Sequence, residues 1–331
     1  MNFSENPGDP REYKTHDCNQ KKFFPSPNFS IQKRIIFPFK FLIMKKFAAL
    51  FLFFSVLSSA QNQRFMYDYT FVKDTLDKSN VTKELMYLDI SKDGSKFYSR
   101  AVFVQDSTMY ADFEKQIKNT GAMNVSVSFN GGSRGIVKDK ILKNYPKQEV
   151  ILESRVGRDL FHVAEDRKLI WKISPEKMKI GEFEAQKATT TFAGRKWTAF
   201  FAPELPFQDG PYKFQGLPGL IVKLEDDSKT HVFELKGVTK YTPAVEVTSQ
   251  FNSPAKPLAV NREKYKKMFW DRRNDPAKDM KQLIASGGKF IIKDKNGVEI
   301  SPASRIKEME QGAKEANAKD NNLIEIDMLK P

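Results

Sequence analysis

Alternation of apolar and polar residues dominates the chain from residue 61 onward. Phe65, Tyr67, Tyr69 and Phe71 fall on one face of an extended segment, and similar short segments recur toward the end of the chain. Asp-Gly, Asn-Gly and related turn signals separate these segments. Short strands joined by tight turns predict an antiparallel meander. The predicted strands are 65–71, 84–90, 96–104, 123–129, 148–155, 159–164, 169–173, 197–201, 220–224, 231–235, 289–293 and 323–327.

Three segments depart from this period. Residues 108–119 place apolar side chains four apart and predict a short amphipathic helix. Residues 262–286 predict two helices, the first capped by Asn261 and the second beginning at Asp275-Pro276. Residues 303–319 are interpreted either as a polar helix or as a link without regular structure.

The predicted organisation is a single domain. Residues 61–331 show no internal repeat and no Gly/Ser-rich linker, so we expect one β-rich domain with a helical C-terminal elaboration at about 262–319. The predicted fold class is mainly β (a β-rich α+β arrangement). Its sheet is expected to be strongly curved and antiparallel, or an incomplete β-barrel, with covering helices. By fold-level analogy this arrangement is similar to lipoprotein carriers.

Residues 44–60 predict a cleavable signal peptide. Met44-Lys45-Lys46 is a short basic start, an apolar run follows, and Ser58-Ser59-Ala60 supplies small residues before a cleavage site at Gln61. Residues 1–43 lack such a pattern and are interpreted as an extension upstream of the true start. A membrane anchor at 35–57 is disfavoured by its proline and lysines, because a span needs about 20 apolar residues. We therefore expect a periplasmic or secreted protein, with no membrane span after residue 60.

Net charge and cysteine content limit the classes of binding partner and of chemistry that we expect. The chain has a net charge of +14, and residues 1–60 hold nine basic and four acidic residues, which leaves about +9 in residues 61–331. No nucleic-acid partner is expected, since neither a known motif nor aromatic residues interleaved with basic ones occur. Anionic lipid headgroups are a more natural partner, and a solvated basic face is the alternative. The single cysteine is Cys18, so no disulfide or thiol nucleophile is predicted after residue 60.

The stretch from about Leu169 to Val238 carries motifs in a fixed order. Lys187-Ala188-Thr189-Thr190 precedes the hexapeptide Gly216-Leu217-Pro218-Gly219-Leu220-Ile221. In order and spacing this stretch resembles the GLPGLI family of secreted Bacteroidota proteins, which is named after the hexapeptide. Residues 321–326 also resemble the closing strand of that family. The resemblance implies no particular activity. Family members often carry a cysteine where this chain has Ala185, so a redox or metal role at that position is not implied.

The hexapeptide has two interpretations. Its proline fixes a backbone angle, and its glycines allow turning and close backbone approach, so it either shapes a loop before a buried strand or lines the mouth of an apolar cavity. In the second case Arg195 and Trp197, two apart on one strand face, would bind the anionic head and apolar body of a ligand. If that face belongs to the core, Arg195 must pair with a carboxylate such as Glu204. The ligand-binding candidates are Arg195, Trp197, Phe201, Gly216, Pro218 and Gly219.

Signals for catalysis and metal binding are weak. His162 and His231 fall on separate predicted strands, and a catalytic zinc site usually has three protein ligands. No HExxH, GxSxG or P-loop pattern occurs, and residues 131–135 predict a hairpin turn. Glu204 and Asp209 are candidates for a general acid and base, with capping and turn roles as the alternative. The sequence therefore predicts no metal and no cofactor, and it singles out no catalytic residue.

Three functions remain open. The first is a non-enzymatic binding or carrier protein for an apolar ligand, a lipid or a peptide, in the cell envelope. The second is an accessory or scaffold subunit of an envelope protein complex. The third and weakest is a hydrolase without a cofactor that uses Glu204 and Asp209. A deep apolar pocket favours the first, an exposed apolar patch the second, and carboxylates that converge in a cleft the third.

Overall fold

The computed structural model of the protein describes residues 62–108, 115, 135–157, 159–242, 256–287, 291–293 and 297–330, which all belong to one compact unit. The predicted extension and signal peptide, the strand at 123–129 and most of the helix at 108–119 lie outside the described residues. Within the described residues, no helix is long and apolar enough to cross a bilayer.

The described residues are mostly β. Twelve strands form one mixed sheet, and two short strands form a separate pair. The strands of the large sheet are β1 (Gln63–Val72), β2 (Val81–Ile90), β3 (Gly94–Ser99), β4 (Lys140–Asn144), β5 (Glu149–Val156), β6 (Asp159–Ala164), β7 (Lys172–Ile180), β8 (Phe183–Phe192), β9 (Arg195–Ala202), β10 (Leu220–Asp226), β11 (His231–Lys240) and β12 (Leu258–Val260), and the separate pair is β13 (Ile292–Lys293) and β14 (Glu299–Ile300).

The large sheet consists of two antiparallel meanders joined at β1. The spatial order is β12-β6-β5-β4-β3-β2-β1-β11-β10-β9-β8-β7, so β1 pairs with both β2 and β11. The predicted meander is confirmed, with one exception. Strand β12 pairs with β6 in the parallel direction, which makes the sheet mixed. The sheet ends at β12 and β7 and does not close into a barrel within the described part of the chain.

One face of the sheet carries the hydrophobic core. Along β1, Phe65, Tyr67, Tyr69 and Phe71 are buried, as the alternation predicted. Three strand spacings separate β3 from β11, which is about 14 Å in a flat sheet. The rings of Phe97 on β3 and Phe233 on β11 nevertheless lie 5.9 Å apart between centroids. The sheet therefore bends toward the face that carries these two rings.

The connection between β9 and β10, residues 203–219, packs against the core and contains most of the hexapeptide. Phe214 and Leu217 from this connection are fully buried. Gly219 has a φ of +150°, and a Cβ atom there would lie 2.4 Å from the carbonyl oxygen of Ala202. Gly216 also has a positive φ, +89°, but a Cβ atom there would meet open space. The two glycines therefore have different roles: Gly219 allows backbone contact, whereas Gly216 only allows the turn.

Three α-helices and a 3-10 helix lie in the C-terminal third. They are α1 (Arg262–Asn274), α2 (Lys278–Ala285), α3 (Pro302–Ala318) and η1 (Ile326–Leu329). The predicted cap of α1 is confirmed, because Asn261 accepts a hydrogen bond from the Lys264 amide at 2.9 Å. The predicted cap of α2 is wrong: Asp275 closes α1, and Ala277 precedes α2 without a side-chain cap. Residues 303–319 are helical over almost their whole length, which settles the alternative left open by the sequence.

Three strand predictions need correction. The strand at 96–104 ends at Ser99, whose hydroxyl accepts a hydrogen bond from the Val102 amide at the start of an α-helical segment described over residues 100–108. The strand at 169–173 begins only at Lys172, and before it the Ile170 carbonyl accepts the Thr190 hydroxyl at 2.8 Å rather than a ladder amide. No strand forms at 323–327, where the Arg195 side chain donates to the Leu323 and Ile324 carbonyls. Strands β4, β8, β12 and β14 were not predicted.

Candidate functional site

A cavity of about 600 Å³ lies on the buried face of the sheet. Its floor is aromatic and consists of Tyr69, Phe71, Phe97 and Phe233. The Tyr69 and Phe233 rings stack at 4.1 Å between centroids, and Phe71 stacks on Tyr69 at 4.5 Å. Phe97 meets Phe233 edge-on. This aromatic floor gives a ligand a large apolar surface that is already in place.

Three segments that are distant in the sequence form the walls of the cavity. They are residues 136–139 before β4, Tyr212 from the connection 203–219, and residues 316–324, here called the C-terminal wall. Glu84 holds the first wall by accepting the backbone amides of Ile136 and Val137 at 2.9 and 3.0 Å. Tyr212 has a φ of +53°, which is uncommon for a residue with a side chain, and its hydroxyl donates to Glu325 at 2.8 Å.

Arg195 fastens the C-terminal wall. Its Nη2 atom donates to the Asn322 side-chain oxygen and to the Leu323 carbonyl, both at 2.6 Å, and its Nε atom donates to the Ile324 carbonyl at 3.2 Å. Its Nη1 atom pairs with Asp226 at 3.1 Å. The carboxylate partner is thus Asp226 and not Glu204. The guanidinium is therefore fully occupied, and it bonds the Leu323 and Ile324 carbonyls in place of a neighbouring strand.

A buried tyrosine–histidine pair lies between the floor and the C-terminal wall. His231 Nε2 lies 3.0 Å from the Asn322 carbonyl oxygen, and its Nδ1 lies 2.7 Å from the Tyr69 hydroxyl. Burial, together with the positive charge of Arg195, lowers the pKa of His231 to about 4, so the ring is neutral at pH 7. A carbonyl oxygen can only accept, which places the proton on Nε2 and makes Tyr69 the donor to Nδ1. Neither ring nitrogen is left to act as a base.

An ionic cluster lies behind Tyr212. Lys213 Nζ lies 2.8 Å from Glu165 and 2.5 Å from Glu325, and Arg167 contacts the same two carboxylates. Burial alone would raise the pKa of Glu325, but the charges of Lys213 and Arg167 outweigh it and lower the pKa to about 2. The cluster therefore consists of paired charges that join the connection 203–219 to the C-terminal segment.

Asp139 is the acidic residue of the first wall. Ser154 on β5 donates to its Oδ1 atom at 2.6 Å, and the Tyr265 hydroxyl from α1 contacts the Ser154 hydroxyl at 2.9 Å. Burial raises the pKa of Asp139, although the Ser154 hydrogen bond and the charge of Lys213 act in the opposite direction. The side chain is half-buried and lines the cavity.

The six ligand-binding candidates from the sequence do not line this cavity. Trp197 and Phe201 are fully buried in the core, and the Trp197 ring packs on Phe214 at 4.8 Å between centroids. Gly216 and Pro218 are exposed, and Gly219 lies against the Ala202 carbonyl. Arg195 acts on the cavity indirectly, because it holds the C-terminal wall. A ligand in this cavity would instead contact the aromatic floor and the three wall segments.

The two candidate catalytic carboxylates, Glu204 and Asp209, lie in different environments. Glu204 is exposed, whereas Asp209 is fully buried and paired with Lys143 at 2.5 Å. The second oxygen of Asp209 accepts hydrogen bonds from Ser95 and Tyr145. Both oxygens of Asp209 are therefore occupied, and the hydrolase hypothesis loses its proton-transfer pair.

The histidines are not brought together. His162 pairs with Glu153 on the neighbouring strand at 3.0 Å, and His231 is buried in the pair with Tyr69. In the parts of the chain that the structure describes, no group of three or more His, Cys, Asp or Glu side chains is placed to hold a metal ion.

Comparison with known proteins adds little to this geometry. No protein-family model matches the sequence, and no curated protein matches it. Two solved structures of PNGF-II, in the P21 and C2 space groups, match with a TM-score of 0.43 and 18% sequence identity. Each match covers 65% of this chain and 34% of the PNGF-II chain. A TM-score this low does not establish a shared fold.

Proposed function

We propose that the protein is a non-enzymatic binding or carrier protein for an apolar ligand. The observation that carries this proposal is the cavity of about 600 Å³ with its aromatic floor. Small-molecule sites are typically concave, about 300–1,000 Å³ in volume, and mostly apolar, with a few polar groups that set orientation. The bent sheet with a cavity on its inner face also agrees with the carrier-like analogy drawn from the sequence.

The proposed place of action is the cell envelope. Residues 44–60 would direct export, and the mature protein would begin at Gln61 and work in the periplasm or outside the cell. Membership of the GLPGLI family is part of this proposal and rests on the hexapeptide and the motifs before it. Mass spectrometry of the N-terminal peptide from exported protein tests it. An N-terminus upstream of Met44 would refute the proposed signal peptide.

The binding proposal is tested by filling the cavity. Leu323 lines the cavity on the C-terminal wall and is half-buried, so Leu323→Trp should occupy the ligand's volume. Leu76→Trp is the matched control, because Leu76 is 90% exposed. We expect Leu323→Trp to weaken binding of a dansyl-labelled acyl chain at least tenfold and Leu76→Trp to leave it unchanged. Equal affinity of wild type and a folded Leu323→Trp variant would contradict the proposal.

A scaffold role is the second candidate, and edge strand β7 favours it. Ile173 and Met178 on β7 are 47% and 48% exposed, and Ile170 just before the strand is 81% exposed. Exposed apolar side chains beside an unpaired strand edge suit contact with another protein. Replacing Ile173 and Met178 with lysine should then abolish that association without changing probe binding in the cavity. A change in probe binding instead would argue against a separate docking role for β7.

A further inference from the structure

Most polar groups that line the cavity away from its rim form hydrogen bonds within the protein. The Tyr69 hydroxyl donates to His231, and the Tyr212 hydroxyl donates to Glu325. Asn322 accepts from Arg195 and donates its side-chain amide to the Val72 carbonyl at 2.7 Å. A ligand would therefore have to break existing bonds to use these groups, which makes them poor anchors.

Asp139 is different, because it is the final acceptor of a short chain of hydrogen bonds. The Tyr265 hydroxyl donates to Ser154, and the Ser154 hydroxyl donates to Asp139 Oδ1. Within the described residues no hydrogen bond reaches Asp139 Oδ2. The carboxyl group is fixed by a strand and a helix, lines the cavity, and has an acceptor atom to spare.

We propose that the cavity selects an apolar ligand whose polar end is a hydrogen-bond donor, a primary amine or a hydroxyl, and that Asp139 Oδ2 accepts it. This inference rests on the proposed binding function and narrows its ligand class. A half-buried carboxylate gains from a hydrogen-bond donor, and a cationic donor gives the stronger bond. A fatty acid would place a second carboxylate beside Asp139, and like charges at close range disfavour each other.

The competing anchors are two lysines at the rim. Lys73 and Lys319 both line the cavity and are exposed, and both would suit an anionic head. The charge of Lys319 already acts on Asp74, whose pKa is lowered by hydrogen bonds from the Leu76 amide and Asn321 and by that lysine. Of the two carboxylates that line the cavity, Asp320 pairs with Arg273 at 3.0 Å, whereas Asp139 forms no ion pair within the described residues.

Three probes of equal chain length distinguish the classes: dodecylamine, dodecanol and dodecanoate. Isothermal titration of the full exported protein should show dodecylamine and dodecanol binding at least tenfold more tightly than dodecanoate. Asp139→Ala should remove this preference. Asp139→Asn keeps an acceptor oxygen without the charge, so it should retain dodecanol and weaken dodecylamine at least tenfold. Asp227→Asn is the control and should leave the preference unchanged, because Asp227 is exposed and does not line the cavity.

The outcomes separate this inference from the binding proposal. If all three probes bind with equal affinity and Leu323→Trp weakens them all, the cavity binds apolar chains but Asp139 does not select among them. If dodecanoate binds best and Lys73→Ala or Lys319→Ala weakens it, the rim lysines hold the ligand and the inference is wrong. If no probe binds, the binding proposal itself fails. Circular dichroism of each variant confirms that it is folded.

Discussion

Replacement of Lys143 by methionine should destabilise the protein strongly. Lys143 lies on the buried face of β4, and its side chain and that of Asp209 are both 0% exposed. The ammonium group donates to Asp209 Oδ1 at 2.5 Å, to the Gly210 carbonyl at 2.8 Å and to the Phe214 carbonyl at 3.1 Å. All three donors of the lysine are used, and two of them hold the connection 203–219 by its backbone.

The magnitude follows from the charge that is left behind. Methionine conserves the length and apolar stem of lysine, so little packing is lost. Removing one partner of a buried ion pair costs about 3–5 kcal/mol, because the other charge stays buried without compensation. The double variant Lys143→Met with Asp209→Asn removes both charges. Its cost should be smaller than the sum of the two single variants by about 2–3 kcal/mol, since the two side chains belong to one network.

The assay is urea unfolding followed by tryptophan fluorescence. Trp197 packs on Phe214, and Trp171 donates to the Gln215 carbonyl, so both indoles report on the connection that Lys143 holds. Lys187→Met is the matched control, because Lys187 pairs with Glu176 at the surface and such pairs contribute about 0–1 kcal/mol. A loss below about 1 kcal/mol for Lys143→Met, or additive costs in the double variant, would refute the reasoning.

Three further outcomes are expected. Gly219→Ala should cost about 3 kcal/mol or more in thermal or chemical unfolding, whereas Gly216→Ala should cost about 1 kcal/mol, because only Gly219 adds a backbone overlap to the strain of a positive φ. The free energy of unfolding should fall by up to about 3 kcal/mol as pH drops from about 6.5 to about 4, because His231 takes up a proton in the unfolded chain but stays neutral in the folded protein. His231→Gln should flatten this slope in urea titrations at several pH values. Arg195→Lys should accelerate hydrogen exchange in residues 321–324 about tenfold, because lysine cannot reproduce the guanidinium fork.

Much of the sheet could be predicted from alternation, and the failures have physical causes. Strand β4 reads Lys-Ile-Leu-Lys-Asn, and its buried positions are Ile141 and Lys143. A buried lysine breaks the apolar alternation, so the strand cannot be predicted without knowing that Lys143 pairs with Asp209. Strand β8 buries small residues, Ala185 and Ala188, which give no strong apolar signal. Both strands depend on tertiary partners that local sequence does not contain.

The candidate site was harder to predict than the fold. The aromatic floor was visible in part, because Tyr69 and Phe71 were assigned to one strand face. Asp139 carried no signal, since it lies in a polar run before a strand that was missed. The prediction that Arg195 and Trp197 share one strand face is correct. What that face contacts could not be predicted, because Arg195 is covered by residues 322–324, more than a hundred positions away in the sequence.

The C-terminal wall has a consequence for the order of folding. The Asn322 side chain bonds the Val72 carbonyl across 250 residues of chain, so the cavity gains this wall only after every strand of the large sheet has been synthesised. Closing so long a loop is slow, because the chain loses conformational entropy before the contact can stabilise it. Until then the stacked rings of Tyr69, Phe71 and Phe233 face water as an open apolar surface. An early ligand that covers these rings would act as a folding template, and the same surface would be where an unfinished chain begins to aggregate.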